Sequence, residues 1–422
     1  MNFDKIINRR GTYSIKYDPV SRGKPENILP MWVADMDFSA PQCVTDALIN
    51  CAHHGIFGYS EPDAAYFDVV QNWFGERFGW HTKREWLVIT PGVVNAIYVA
   101  VRALTEAGDG VVIQQPVYYP FESAVTHTGR KLLVNQLVYD GEKYSIDFDD
   151  FEKKIKQAKL FILCSPHNPV GRVWTREELI RMGEICMRHN VAVVADEIWH
   201  DLIYGERIFE GEQGGAKCHA VGDRSFSGDL RDTAPCSLHK LRSLCRGHHV
   251  FSSLAPEFGE ITITATAPSK TFNLAGLQHA NIFIPNAAMR NKFEREYAAC
   301  GLSQPNITGL VSCKAAYENG AEWLDELLEY LAGNMSLIAE FFREHRIKPV
   351  KPEATYLAWL DCSGLGLPDR ELDDIITNKA GLWLNGGTKF GAGGEGFQRI
   401  NAACPRSVLR DALVRLDAAA RS

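Results

Sequence analysis

The chain is poor in the features that mark membrane, secreted and nucleic-acid-binding proteins. No apolar run reaches the ~18 residues that a bilayer span needs, so no membrane partner is expected. Met1 to Arg10 is charged and holds no apolar leader segment, so no signal peptide is expected either. Basic residues are not in excess: 45 Lys and Arg stand against 52 Asp and Glu, a formal net charge of -7. That argues against nucleic acid as a partner. The 11 Cys are odd in number and scattered, with no CxxC pair, which reads as reduced thiols in a cytoplasmic chain rather than a disulfide framework. With 35 Gly and 19 Pro, 45% hydrophobic and 23% charged residues, the composition excludes collagen-like and disordered chains. Its 422 residues predict two domains, or one large and one small.

From about residue 40 to 285, short apolar runs alternate with helical patterns. Trp86–Thr90, Val111–Ile113, Leu160–Cys164 and Val191–Ala195 read as strands. Val94, Ile97, Val101 and Leu104 recur at helical spacing. Thr175 and Glu178 form a capping-box pattern before the helix carrying Leu179, Met182 and Cys186. This repetition predicts an α/β sheet with helices on both faces. After residue 285 the pattern becomes a long helical stretch over about 288–345. The strand Thr355–Leu360, a helix, a strand pair and a closing helix near 405–419 follow. The expected division is an arm at 1–40 belonging to the small domain, a large domain at 41–285, and a small α+β domain at 286–422. Residues 209–249 follow neither period and read as an irregular insertion. Its Cys218, Cys236, Cys245, His219, His239, His248 and His249 match no zinc-ligand spacing, so no metal site is expected.

Four strand ends carry chemistry-bearing residues. An alternating run from Ile261 ends in Ala267-Pro-Ser-Lys270. A lysine held there and partly desolvated has a lowered pKa and can form a Schiff base. Asp196 closes the apolar run at 191–195, the strand end where open α/β sheets place ligands. An ionised Asp there can pair with a protonated ring nitrogen. Asn168 lies in Ser165-Pro-His-Asn-Pro-Val-Gly171 after another strand, with its amide free to meet a ring hydroxyl. Thr90-Pro-Gly92-Val-Val94 opens a helix whose exposed amides suit a phosphate. Taken singly, each is an ordinary turn or cap. Their order along the chain is far more specific.

With these features the chain resembles the fold-type I pyridoxal-phosphate enzymes of the class I/II aminotransferase superfamily. Within them it is most similar to the MalY/PatB-like cystathionine β-lyase (C–S lyase) branch. The segments that carry the likeness are Arg10–Asp18, Met31–Phe38, Cys164–Trp174, Ala267–Asn273 and Gly393–Asn401. The resemblance implies an aspartate aminotransferase-like fold: a mostly parallel seven-stranded sheet flanked by helices, plus the smaller α+β domain. It implies pyridoxal 5'-phosphate as cofactor and a homodimer with shared sites. It assigns Lys270 the covalent link to the cofactor and Asp196 the ring nitrogen. Asn168 would hold the ring oxygen and Tyr118 would stack on the ring, with Tyr119 as the alternative. Gly92, Val93, Val94 and Ser269 would hold the phosphate. Tyr59 would reach the phosphate of the neighbouring subunit. Arg399 would grip the substrate carboxylate, beside Ala34 and Asn168.

Two positions depart from the commoner aminotransferase pattern. Gln278 stands where many carry a phosphate-binding Arg, and Trp199 where many carry a Tyr to the ring oxygen. The run Gly391-Ala-Gly-Gly-Glu-Gly396 matches GxGxxG, but Phe397–Asn401 after it is strand-like, so a dinucleotide site is not expected. The glycines are expected to bring backbone close to the substrate carboxylate. The implied activity is β-elimination from a thioether L-amino acid. Transamination, and a regulatory protein-binding role on the same fold, are the alternatives.

Overall fold

The computed structural model describes residues 1–204 and 247–421. Residues 209–246 of the expected insertion, with Cys218, Cys236, Cys245, His219 and His239, lie outside the described residues. Among the described residues no cluster of His, Cys, Asp and Glu could hold a metal. No helix among them is long and apolar enough to cross a membrane.

The main sheet has seven strands: β1 (Leu87–Thr90), β2 (Gly110–Gln115), β3 (Lys131–Gln136), β4 (Ala158–Cys164), β5 (Ala192–Asp196), β6 (Thr262–Thr266) and β7 (Ala280–Phe283). Their order is β1-β7-β6-β5-β4-β2-β3. β7 alone runs antiparallel, to both β1 and β6. Residues 111–113 of β2 and 160–164 of β4 are apolar and buried, as expected of strands covered on both faces. The helix Val93–Leu104 buries Ile97, Ala100 and Val101 against one face. Helix Arg176–Arg188 buries Leu179, Met182 and Cys186 against the other. Its capping box is formed: Glu178 N–H donates to Thr175 Oγ1 at 3.2 Å, and Thr175 N–H to Glu178 Oε2 at 2.8 Å.

The helical stretch after 285 is three helices, not one: Ala287–Ala299, Ile307–Asn319 and Ala321–Phe341. Gly301 and Pro305 interrupt the first junction, where proline offers no amide to continue a helix. Gly320 makes the second, its position too close to the Ala316 carbonyl for a side chain. Leu324, Leu327, Leu328, Leu331 and Ile338 form the buried stripe of the last helix. A second, antiparallel sheet orders β8 (Lys348–Pro349), β9 (Leu357–Asp361), β11 (Phe397–Asn401) and β10 (Asn385–Gly386). The N-terminal segment joins this half of the molecule. Leu29–Pro30 pairs with Leu382–Trp383, and Phe3 packs its ring against Trp323 and Tyr330.

Because all strands but β7 run the same way, their carboxyl ends share one edge of the sheet. That edge carries Asp196 at the end of β5, and the segments that leave it carry Gly92, Tyr118, Asn168 and Lys270.

Candidate active site

A cavity of about 340 Å³ opens at this edge, inside the range of small-molecule sites. Ala34, Gly92, Val93, Val94, Tyr118, Asn168, Asp196, Trp199, Ser269 and Lys270 all line it.

Lys270 sits in the one-turn helix Pro268–Thr271 directly after β6, rather than in an open turn. Its Nζ donates to the Ala34 carbonyl at 2.7 Å and stands 5.7 Å from the centre of the Trp199 ring. Burial lowers its pKa to about 8. That leaves a usable fraction of neutral amine near neutral pH. Asp196 ends β5 and is 3% exposed. Burial raises its pKa to about 7, against the opposing backbone hydrogen bond from Ile198. Oδ1 accepts that bond at 3.1 Å. Oδ2 has no hydrogen bond among the described residues, so it is available to a cationic N–H within the cavity.

Arg399 lies on β11 behind Asn168. Its Nη1 donates to Asn168 Oδ1 at 3.0 Å and its Nη2 to the Trp32 carbonyl at 2.9 Å. It is 3% exposed, its Nε has no acceptor, and no carboxylate pairs with it among the described residues. A buried cation without a counter-ion is costly, and burial lowers its pKa to about 10. The arrangement suits an anionic ligand. With Asn168 Oδ1 occupied by Arg399, the Asn168 amide nitrogen stays free as a donor. Tyr118 presents its ring to the cavity beside Tyr119, 5.3 Å between centres.

The far end of the cavity is built for an anion from neutral groups. Helix Val93–Leu104 begins there with Gly92 as its N-cap and no side chain capping its amides. Nothing lies within 4 Å of the position a Gly92 side chain would take. Ser269, Gln278 and Asn95 line the same cavity. Lys270 is the sole Lys or Arg among the described residues that line it. Exposed helix amides and the helix dipole bind phosphate without a cation. The donor set therefore fits pyridoxal phosphate: an amine for its aldehyde, Asp196 for its ring nitrogen, Asn168 for its hydroxyl and Gly92–Val94 for its phosphate.

Other residues fall elsewhere. Tyr59 is 94% exposed and lines a surface depression with His54, Ile56 and Val311, apart from the Lys270 cavity of its own chain. His248 is buried, with Nε2 2.8 Å from Glu197 Oε2. The glycines of 391–396 do not line the cavity, contrary to the sequence reading. They pack on backbone and amide groups, where Ala392 N–H donates to Gln115 Oε1 at 3.0 Å. Gly391, at φ +93°, leaves no room for a side chain beside Gln115.

Sequence reasoning missed the clamps on the loop 32–38. Asn401 Nδ2 donates to the carbonyls of Val33 and Asp35, both at 2.6 Å. Asn273 Nδ2 donates to those of Met36 and Phe38 at 3.0 and 2.9 Å. Tyr356 O–H donates to Ala34 O at 3.0 Å. Both asparagines fall inside segments that carried the resemblance, but nothing local marks what they hold.

The pattern of the family described as aminotransferase class I and II matches residues 26–416. The chain belongs to this family. Cystathionine beta-lyase PatB of Bacillus subtilis is 43% identical over 425 residues, covering 99% of this chain and 100% of that protein. Protein MalY of Escherichia coli is 30% identical, over 100% and 99%. Cystalysin from Treponema denticola, whose crystal structure contains pyridoxal 5'-phosphate, superposes with a TM-score of 0.87 at 32% identity, over 100% and 98%. The pyridoxal-phosphate-bound C–S lyase from Staphylococcus hominis gives 0.85 at 29% identity, over 100% and 98%. The resemblance read from the motifs and the α/β fold with its seven-stranded sheet thus both hold for this family member.

Proposed function

We propose that this protein is a pyridoxal-phosphate-dependent carbon–sulfur lyase. It converts a thioether L-amino acid and water to a thiol, pyruvate and ammonia, with cystathionine as one substrate. The observation that carries the reading is the convergence of Lys270, Asp196 and Asn168 on one cavity, with the unpaired Arg399 bonded to Asn168 behind its wall. Full-length likeness to PatB and to C–S lyases supports the choice of reaction.

When bound, pyridoxal phosphate supplies an electron sink for charge developing at the substrate Cα. The residues do the rest. Arg399 binds the α-carboxylate through its planar fork and fixes the amino acid's orientation. Asp196 accepts a hydrogen bond from the ring N–H and keeps that nitrogen protonated. Lys270 takes the proton from Cα, for which an amine with a pKa near 8 is matched to neutral pH. The Ala34 carbonyl, now bonded to Lys270 Nζ, holds that amine beside the site.

We also infer a homodimer in which Tyr59 of each chain serves its partner's phosphate. Ile49, Ile56, Phe57 and Tyr59 are all exposed on one chain, an apolar surface that an interface would cover.

The test is pyruvate release from cystathionine by the yellow holoenzyme with no 2-oxo acid present. Lys270→Ala is expected to abolish both the colour and the pyruvate. Strict dependence on 2-oxoglutarate would instead identify an aminotransferase. A regulatory contact with another protein that survives Lys270→Ala without any turnover would identify a binding role.

A further inference from the structure

Outside the Lys270 cavity, linked to Arg399 through Asn385 and the Trp32 carbonyl, stands a second cation with aromatic walls. Lys389 Nζ lies 4.4 Å from the centre of the Tyr119 ring and 5.6 Å from that of Trp32. Tyr119 adjoins Tyr118, which lines the cavity. Trp32 is two residues from Ala34, which also lines it. Lys389 Nζ donates to Asn385 Oδ1 at 3.4 Å, and Asn385 Nδ2 donates to the Trp32 carbonyl at 2.9 Å. That same carbonyl accepts from Arg399. One asparagine and one carbonyl thus tie the two cations to a common frame.

The neighbourhood is electrostatically one-sided. Arg22 stacks over the other wall, 5.5 Å from the Trp32 ring centre. Arg399 and Arg22 both act on Lys389 as like charges, after burial, to lower its pKa. No carboxylate pairs with Lys389 among the described residues. An ammonium has three donors, and Asn385 takes one. Three cations gathered around Trp32, with no carboxylate paired to Lys389 among the described residues, attract a ligand with more than one negative group.

We propose that Lys389 receives a carboxylate at the far end of the substrate's sulfur substituent, while Arg399 receives the α-carboxylate. The preferred substrates are then L-cysteine thioethers whose leaving thiol carries an acid group, with Trp32 and Tyr119 flanking the thioether chain. This rests on the amino-acid site proposed above but not on the lyase reaction, because the same two anchors would select a dicarboxylic amino acid for any chemistry at Cα.

The test separates the two. Calorimetry on the holoenzyme compares L-2-aminoadipate with L-norleucine, which differ by a terminal carboxylate and contain no group that β-elimination can release. The wild type is expected to bind 2-aminoadipate more tightly, by a margin that shrinks with added salt. Lys389→Gln is expected to weaken 2-aminoadipate about three- to fivefold, the range of an exposed ion pair, and to leave norleucine within about twofold. Lys389→Arg should retain the preference. In parallel, pyruvate release is measured from S-carboxymethyl-L-cysteine and S-ethyl-L-cysteine, which match the two ligands in length. Lys389→Gln should raise KM for the first alone and leave kcat unchanged. Equal weakening of both ligands, or no change in either, overturns the proposal. Selective binding without pyruvate from either thioether leaves the carboxylate site standing and removes the lyase reading.

Discussion

Burial moves Lys270 and Asp196 in opposite senses, the amine down to about 8 and the carboxyl up to about 7. Each shift is also a statement about folding. In the cofactor-free protein, Asp196 holds its proton up to a higher pH folded than unfolded. The contribution of Asp196 to stability should therefore fall as pH rises from about 4 to about 7 and level off above. Asp196→Asn keeps the Oδ1 acceptor for Ile198 and removes the charge. It should be more stable than the wild type above pH 7, by a margin on the order of a few kcal/mol, and converge with it near pH 4. Thermal unfolding of the apoprotein across that window is the measurement. At Arg399 the expectation concerns binding. Arg399→Lys replaces a planar fork with a point charge and abandons the bonds to Asn168 and Trp32. It should lower kcat/KM about a hundredfold, with the loss read in steady-state kinetics on any amino-acid substrate.

The elements that hold these residues are themselves held by buried charge. Asp201 is fully buried at the end of the segment after β5. It accepts from Arg77 Nε, Thr271 Oγ1 and Trp73 Nε1 at 2.9, 2.9 and 3.3 Å, and His200 Nε2 stands 3.1 Å away. Thr271 is the residue after Lys270, so this carboxylate fixes the helical turn that presents the amine. Asp201→Ala strands Arg77 in the interior and is expected to cost about 3–5 kcal/mol in chemical denaturation. The loop 32–38 has a comparable clamp. Arg9 pairs with Asp35 and Asp37, both at 2.7 Å, and Lys16, 1% exposed, pairs with Asp37 at 2.9 Å. Here the limits of sequence reading are plain. Strands, caps and the residues at strand ends are local patterns, and Lys270, Asp196 and Gly92–Val94 were legible because periodicity stops where they stand. Asn273, Asn401 and Asp201 bond to residues 70 or more positions away, and Lys16 to Asp37, 21 away. A one-dimensional pattern carries no trace of such pairing. The glycines at 391–396 were misplaced for the same reason, since a glycine needed for packing on Gln115 looks in sequence like one needed for a ligand.

At the scale of the whole molecule, the alternation of strands and helices sufficed for the sheet and its helical layers. The break of 288–345 into three helices was not read: Gly301 and Pro305 mark the first junction in the sequence, whereas Gly320 at the second falls within a continuing apolar periodicity. The proposed homodimer makes a quantitative prediction. If Tyr59 completes its partner's site, a chain with Tyr59→Ala and a chain with Lys270→Ala, each nearly inactive alone, should regain activity when refolded together. A random mixture should reach about a quarter of wild-type activity, since a hybrid carries one site with both defects and one with none. No recovery would place Tyr59 in the site of its own chain rather than its partner's.

The first described stretch ends at Tyr204, whose amide donates to Glu353 O. The second begins at Gly247, which lies against Ile203. His248 and Phe251 N–H then lock onto Glu197, next to Asp196. These two ends are thus neighbours, each anchored separately. The entropic cost of joining ends already held together grows only slowly with the number of residues between them. A change in that number is therefore expected to leave the registration of strands β5 and β6 intact.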